Sequence, residues 1–431
     1  MLRKTLSFIS VLLLAATVAG AQNPDDGTAR PRSVGVVMSG GGAKGLYHIG
    51  VLEALEENGV PIDYVAGTSM GSIIAAMYAA GYSPAQMREI VASGVVKEWV
   101  SGRIDPRYTP YYQQIGHNPS FISVRLNLGN SGKRFRVTNL ISSTPIEMAL
   151  TELFAPASAA AGGDFDRLMV PFLCVSSDMN AREPVVMRNG DLCEAVRSSM
   201  SIPLVFKPMK VDSMLLYDGG IYDNFPWRPL DVGFRPDLIV GSICTAGNTP
   251  PGEDINILDQ AFMLAMHDTD YDLPKGRSVT VRRAVDVNML DFDSAVAVMD
   301  AGYEDAMAVM PQILERVSER WSPRRYAERR EEFRAKCPPL VFNDYKLEGL
   351  SSAPEAYIRD FVKVDRRTPG RQRPMGFSEL RDNLYAVLAD GDFTMDFPHV
   401  TYDTVTERYS FRAKFHTCLL YTSPSPRDYA A

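Results

Sequence analysis

Cysteine and histidine are scarce in this sequence, and neither residue type is clustered. The 431 residues include five cysteines, without a CxxC pair, and five histidines. A structural zinc site needs closely spaced Cys and His ligands, and a disulfide-stabilised domain needs many paired cysteines. The sequence therefore indicates neither a structural zinc site nor a disulfide-stabilised domain. The cysteines are Cys174, Cys193, Cys244, Cys337 and Cys418.

Long apolar runs and an excess of positive charge are also missing. Beyond the N-terminus, no apolar run approaches the roughly 20 residues that a membrane-spanning helix needs. The formal net charge is −7, so the positive field typical of nucleic-acid-binding proteins is absent. The composition, 45% hydrophobic and 23% charged, excludes disorder, collagen and coiled coil for most of the chain. The length predicts two or three domains.

The N-terminus has the pattern of a secretory signal peptide. Arg3 and Lys4 precede an apolar run over residues 6–16, and the small residues of positions 19–21 fit a cleavage site before Gln22. A membrane anchor is the alternative, although the run is short for one. We expect residues 1–21 to be the signal peptide and residues 22–31 a linker. The protein is then exported to the periplasm, outer membrane or cell surface of a Gram-negative bacterium.

Short apolar runs alternate with helical patterns from residue 34 onwards. Strands are predicted for residues 34–38, 62–66, 172–176, 214–217 and 238–243, and helices for residues 45–57 and 72–80. Alternation of this kind predicts an α/β fold with a mostly parallel sheet covered by helices.

A glycine-rich loop, Gly40-Gly41-Gly42-Ala43-Lys44-Gly45, follows the first strand and opens a helix. Glycines let the backbone approach a ligand, and free N–H groups at a helix start face an anion. The loop also matches the dinucleotide-binding pattern GxGxxG, which wants an acid at the end of the second strand. Asp63 has the spacing but lies at the start of its strand instead of the end, so it is badly placed. A P-loop is excluded because Gly45 follows Lys44.

Two further motifs contain candidate reactive side chains, one a hydroxyl group and the other a carboxyl group. Gly67-Thr68-Ser69-Met70-Gly71 is a GxSxG sequence between a strand and a helix, the context of a nucleophile elbow, although a serine-capped glycine turn is the plain alternative. Asp218-Gly219-Gly220 follows a strand, and an ordinary Asp-Gly turn is its plain alternative.

Together the three motifs predict acyl transfer through a Ser–Asp dyad. Ser69 offers a nucleophile, Asp218 a base, and residues 40–42 offer backbone donors for an oxyanion. No histidine lies in a turn of this kind, and His48 fits a packed position in the first helix. Burial beside a hydroxyl should raise the pKa of Asp218, which makes it a better base. The remaining histidines are His117, His267, His399 and His416.

The three motifs, in this order, resemble the patatin-like phospholipases. The segments Ser198–Pro203 and Asp223–Pro226 are similar to that family as well, and we assign residues 32–320 to this domain. The resemblance implies a three-layer α/β sandwich and hydrolysis of lipid acyl esters through an acyl-enzyme, with no metal or cofactor. It makes Ser69 the nucleophile, Asp218 the base and the N–H groups of Gly40, Gly41 and Gly42 the oxyanion hole. Motif glycines are Gly45, Gly67, Gly71, Gly219 and Gly220.

The C-terminal part has a different pattern. Residues 321–337 are predicted to be a charged helical connector with a solvated face, and residues 338–417 a β-α-α-β-β domain with a helix capped by Ser378. This domain resembles a POTRA domain, as in patatins of type V secretion, whose chains continue into a β-barrel. The tail, residues 418–431, fits no strand and is similar to translated sequencing-adaptor read-through. We therefore expect a truncated gene model.

The partners implied are a phospholipid or other acyl-ester lipid, a membrane surface and an outer-membrane barrel in the natural form, without nucleic acid. Two alternatives remain open: a dinucleotide-binding protein that uses Gly40, Gly42 and Gly45, and a non-catalytic envelope module.

Overall fold

In a computed structural model of the protein, the structure describes residues 32–108, 123–127, 141–248, 257–350, 352–361, 374–389 and 393–422. The predicted signal peptide and linker lie outside these residues. From Arg32 onwards the chain forms one unit. Within the described ranges no helix is long and apolar enough to cross a bilayer.

The secondary structure alternates as the apolar pattern predicts. The strands are β1 Val34–Met38, β2 Tyr64–Thr68, β3 Ser123–Asn127, β4 Phe172–Asp178, β5 Glu183–Met187, β6 Met209–Val211, β7 Met214–Asp218, β8 Leu238–Ile243, β9 Ser278–Arg282, β10 Val341–Glu348, β11 Met375–Gly376, β12 Phe393–Met395, β13 His399–Asp403 and β14 Arg408–Thr422. The helices are α1 Tyr47–Glu57, α2 Met70–Ala79, α3 Pro84–Ala92, α4 Val95–Ser101, α5 Thr144–Ala161, α6 Leu192–Ser199, α7 Trp227–Phe234, α8 Ile257–Ala265, α9 Ala295–Leu314, α10 Pro323–Arg334, α11 Ser352–Phe361 and α12 Phe377–Leu388.

The main sheet has eight strands in the order β6-β7-β4-β2-β1-β8-β9, with β5 paired to β4. Strands β4, β2, β1, β8 and β9 run parallel, whereas β5, β6 and β7 form antiparallel pairs at one side. The expected mostly parallel sheet is confirmed for its centre. Parallel strands need crossover helices, and these occupy the intervals between them.

Helices cover both faces of this sheet. Val36 and Met38 of β1 pack with Ile49 of α1 on one face, whereas Val37 packs with Leu230 of α7 on the other. Successive side chains of a strand point to opposite faces, so a strand buried on both sides is continuously apolar. The α/β fold predicted from these runs is therefore confirmed.

The topology places the three motifs at one edge of the sheet. The parallel strands β1 and β2 both end there, one before the glycine loop and the other before Ser69. Strand β7 runs antiparallel to β4, with Asp218 opposite Ser176. Since Thr68 lies opposite Val175 of the same β4, Ser69 and Asp218 leave the sheet at the same level.

A second sheet of six strands follows, in the order β11-β10-β14-β12, with β13 and β3 also paired to β14. The predicted strands, helices and antiparallel pairing of β13 with β14 are present, together with the unpredicted short strands β11 and β12. The helix α12 begins at Phe377 with Gly376 at its N-cap, so the prediction of Ser378 as the cap is wrong by two residues.

Strand β14 extends further than predicted. It continues to Thr422, and Cys418–Thr422 pair antiparallel with β3. The apolar and β-branched residues at 418–422 suit a strand once a partner is available, and β3 provides it. The first residues of the predicted tail therefore lie in a strand, whereas residues 423–431 fall outside the described residues.

The charged helix α10 is docked on the first sheet rather than free in solvent. The Arg329 guanidinium donates to the carbonyl of Met169 at 2.7 Å, and that of Arg334 donates to the carbonyl of Gly81 at 2.9 Å. Long arginine side chains can hold carbonyl groups while the helix keeps an exposed face. The expectation of a purely solvated charge run is therefore wrong for these arginines.

Candidate active site

Ser69 occupies a strained turn between β2 and α2. Its backbone has φ 55° and ψ −124°, a conformation that a non-glycine residue adopts at a cost of about 1–3 kcal/mol. A Cβ on Gly71 would lie only 2.5 Å from the carbonyl oxygen of Met38 and 2.6 Å from that of Ser39. The glycine therefore lets the turn press against the end of β1. This is the local geometry of a nucleophile elbow.

The Ser69 hydroxyl donates a hydrogen bond to the carboxylate of Asp218, with 2.7 Å between Oγ and Oδ2. Asp218 is fully buried, and its Oδ1 accepts the N–H of Gly220 at 2.8 Å. Burial disfavours the charged carboxylate and raises the pKa of Asp218 to about 7, although the hydrogen bonds from Ser69 and Gly220 favour the charge. The structure thus brings together the two side chains that the sequence singled out.

The glycine loop lies directly beside this pair. A Cβ on Gly40 would lie 3.1 Å from the Cβ of Ser69. Gly42 has φ 57°, and a Cβ there would meet the carbonyl oxygen of Met289 at 2.3 Å. Only glycine suits these two positions. A side chain at Gly40 would lack space, and one at Gly42 would both clash and require a left-handed backbone.

The N–H groups of this loop are not equivalent. The N–H of Gly40 donates to the carbonyl of Asn224 at 3.0 Å, so the expectation that it faces an oxyanion is wrong. Among the described residues, no hydrogen-bond partner is found for the N–H groups of Gly41 and Gly42. Gly41 precedes the 3₁₀ helix Gly42–Leu46, and Gly42 begins it. The first N–H groups of a helix have no partner within that helix. The candidate anion donors are therefore these two.

His48 is packed in the core, as the sequence predicts. It is fully buried, with Nδ1 2.7 Å from the Ser242 hydroxyl and Nε2 2.8 Å from the carbonyl of Ser39. Burial lowers its pKa to about 4, so the ring is neutral at pH 7. The neutral ring donates from Nε2 to the Ser39 carbonyl and accepts from Ser242. In the described ranges, the hydrogen-bond partner of the Ser69 hydroxyl is Asp218, and no hydrogen bond from a histidine to this hydroxyl is found.

Residues 36–231 match the family model described as patatin-like phospholipase. This part of the chain is a patatin-like phospholipase domain. The matched residues include the glycine loop, the Ser69 turn and Asp218, so all three motifs lie within the family match.

Several known proteins are similar to this chain in sequence or in structure. An uncharacterized NTE family protein of Mycobacterium tuberculosis is 28% identical over 228 residues, 53% of this chain and 53% of the relative. Lysophospholipase NTE1 of Cryptococcus neoformans is 30% identical over 220 residues, 51% of this chain and 12% of the relative. The match thus spans about half the length of the bacterial relative. The match to the crystal structure of VipD from Legionella pneumophila covers 66% of this chain and 67% of the VipD chain, at 15% identity and with a TM-score of 0.37.

Two residues of the patatin-like domain that support the site were not predicted from the sequence. The N–H of Ser69 donates to the Ser199 hydroxyl at 3.0 Å, and this hydroxyl donates to the carbonyl of Val175 at 2.6 Å. The backbone carbonyl of Asn224 accepts the N–H of Gly40, and the side-chain amide of Asn224 donates to the Tyr271 hydroxyl at 3.0 Å. Both residues lie in segments that resemble the family, which is the one signal that could have pointed to them.

The dinucleotide-binding alternative is not supported by the position of its acid. The carboxylate of Asp63 accepts the N–H of Val34 at 2.8 Å, at the amino end of β1. The glycine loop follows the carboxyl end of the same strand. A ribose-binding acid should lie at the carboxyl end, beside the loop. In addition, no group of three or more potential metal ligands is found among the described residues.

Proposed function

We propose that this chain hydrolyses acyl esters of lipids, with Ser69 as nucleophile, Asp218 as general base, and the N–H groups of Gly41 and Gly42 as oxyanion donors. The 2.7 Å hydrogen bond between Ser69 Oγ and Asp218 Oδ2 is the observation that supports this most directly. The patatin-like domain and a relative named a lysophospholipase support a phospholipid or lysophospholipid as the substrate class.

In the proposed reaction, Asp218 takes the proton of the Ser69 hydroxyl as Oγ attacks the ester carbonyl. The negative charge of the tetrahedral intermediate is stabilised by the N–H groups of Gly41 and Gly42. The intermediate collapses to an acyl-enzyme, and the departing alcohol takes the proton from Asp218. A water molecule then gives its proton to Asp218 and attacks the acyl carbonyl. The fatty acid leaves, and the proton returns to Ser69.

Covalent labelling of Ser69 tests the proposal. A fluorophosphonate should label the wild-type protein and block its hydrolysis of a p-nitrophenyl acyl ester. Ser69→Ala should lose both reactions while keeping the wild-type melting temperature, because it removes one oxygen from the turn. The control is Ser93→Ala, an exposed serine whose hydroxyl donates to the carbonyl of Ile90 and accepts the N–H of Val95, both next to it in the chain. Full hydrolysis by Ser69→Ala would disprove the assignment.

We also propose that the chain is exported and that the C-terminal α+β part acts as a POTRA-like module. The supporting observations are the charged and apolar N-terminal pattern and the order of strands and helices after residue 338. Expression in a Gram-negative host followed by fractionation and N-terminal sequencing tests the first point. The expected product begins at Gln22 outside the cytoplasm. A cytoplasmic protein that retains residues 1–21 would contradict it.

A further inference from the structure

A buried ion pair joins helices α5 and α6 of the patatin-like domain. The guanidinium of Arg197 on α6 is fully buried, with Nε 3.2 Å from Oε1 of Glu147 on α5. The second carboxylate oxygen, Oε2 of Glu147, has no hydrogen-bond partner among the described residues. Removing two charges from water costs several kcal/mol for each ion, and apolar side chains in such positions are often equally stable. Stability alone therefore does not account for the pair.

Arg197 also holds both ends of the segment that leads from α6 to β6. One nitrogen, Nη1, donates to the Ser201 hydroxyl at 2.7 Å, and Nη2 donates to the carbonyl of Lys207 at 3.3 Å. Between them, the ring of Phe206 lies 5.3 Å from the guanidinium carbon. A planar guanidinium can make these contacts at once, whereas a lysine ammonium cannot match their geometry.

Ser201 connects Arg197 to the carboxyl group beside Ser69. Its backbone carbonyl accepts the N–H of Asp218 at 3.0 Å. The carboxylate of Asp218 is held in turn by the N–H of Gly220 and by the Ser69 hydroxyl. Together with the pairing of β7 to β4, the position of Ser201 therefore fixes where the Asp218 backbone lies. The same helix α6 ends at Ser199, which accepts the N–H of Ser69.

We infer that Arg197 is a positioning residue for the reaction proposed above: through Ser201 it holds Asp218 at hydrogen-bond distance from the Ser69 hydroxyl, and Glu147 balances its charge. Arg197 does not touch the reacting atoms. The inference rests on the proposed function, since it assigns Asp218 the work of a base. It predicts that loss of the ion pair reduces turnover even where the fold is preserved.

Replacing both partners by apolar side chains separates positioning from stability. The test variant is Glu147→Leu with Arg197→Met. The matched control is Glu56→Leu with Arg330→Met, which removes another largely buried ion pair, between α1 and α10. The contacts described for that pair do not reach Ser69 or Asp218. For each protein, the melting temperature is measured together with kcat, KM and the pH midpoint of p-nitrophenyl ester hydrolysis.

The test variant should melt within a few degrees of the control variant, with kcat about 100-fold below wild type, since small misplacements of reacting groups have effects of that order. KM for the short soluble ester should change less than about threefold. The pH midpoint should move, because the carboxyl group no longer sits in the same contacts. A folded test variant with wild-type kcat and pH midpoint would overturn the inference.

Arg197→Lys serves if the double variant does not fold. It keeps a positive charge opposite Glu147 but cannot hold Ser201 and Lys207 together, so kcat should fall about 10-fold. Wild-type kcat in this variant would equally overturn the inference. The wild-type protein distinguishes the two proposals: if it neither hydrolyses the ester nor reacts with a fluorophosphonate, the proposed function fails, and the role of Arg197 falls with it.

Discussion

The base proposed for the reaction is a carboxyl group that burial makes easy to protonate. The pKa of Asp218 is raised to about 7, and a base must be ionised to accept a proton. We therefore predict that kcat/KM for a soluble ester rises with pH and is half-maximal near pH 7. Below that midpoint, activity should fall about tenfold for each pH unit. Initial rates between pH 5 and pH 9 check this.

The pH range of stability has to be measured alongside the rates. Wild-type ellipticity at each pH shows whether a loss of activity reflects unfolding instead of titration. A rate that stays constant from pH 8 down to pH 5 in the folded protein would show that Asp218 has an ordinary carboxyl pKa or does not act as the base.

At this scale, the sequence could predict residues that belong to short motifs. Ser69 and Asp218 stand out because glycines surround them in a recognisable order. Ser199 acts by accepting a backbone N–H from a residue 130 positions away, and such a contact leaves no local pattern. The use of the Gly40 N–H by Asn224 is of the same kind. Backbone partners that depend on tertiary structure could therefore not be foreseen.

The elements that form the site meet through close backbone contacts. Strand β1 and the start of α2 approach each other at Gly71, where no side chain fits. We predict that Gly71→Ala lowers the free energy of unfolding by about 2 kcal/mol, a typical cost of forced overpacking. It should also reduce kcat at least 100-fold, because the turn that carries Ser69 must move. Urea unfolding and ester hydrolysis measure the two effects.

Gly376→Ala is the matched control for this prediction. A Cβ at Gly376 would meet nothing within 4 Å, and the residue has φ −67°, which alanine adopts freely. Its kcat should equal that of wild type, with a stability loss of well under 1 kcal/mol from the weaker helix cap. Equal kcat values for Gly71→Ala and wild type would show that the turn tolerates displacement.

Elements were predictable where an apolar run is sufficient to form them. Strands β1 and β8, buried on both faces, have the predicted bounds. The first helix is different, since a 3₁₀ turn over Gly42–Leu46 precedes α1 at the glycine loop. The extra strands β11 and β12 have only two or three residues, and pairing with neighbours rather than their own sequence makes them strands.

At the scale of the whole molecule, the two sheets share a helix. Met148 of α5 is fully buried in the second core, with residues such as Phe342 and Leu384, while the neighbouring Ile146 and Leu150 pack in the first core. Ion pairs also bridge the two parts, with Arg381 Nη1 3.3 Å from Oε2 of Glu152. Because α5 serves both cores, loosening one core should weaken the other.

We therefore predict one cooperative unfolding transition for the chain from Arg32 onwards. Leu384→Ala, in the second core, should lower the free energy of unfolding by about 3 kcal/mol, since it leaves a cavity at a fully buried site. Ile74→Ala, a buried position of α2 in the first core, should shift the same transition. Heating followed by ellipticity and by fluorophosphonate labelling of Ser69 reports both parts at once. If Leu384→Ala produces an early ellipticity change while labelling persists to the wild-type midpoint, the two sheets unfold independently, and the shared helix does not couple them.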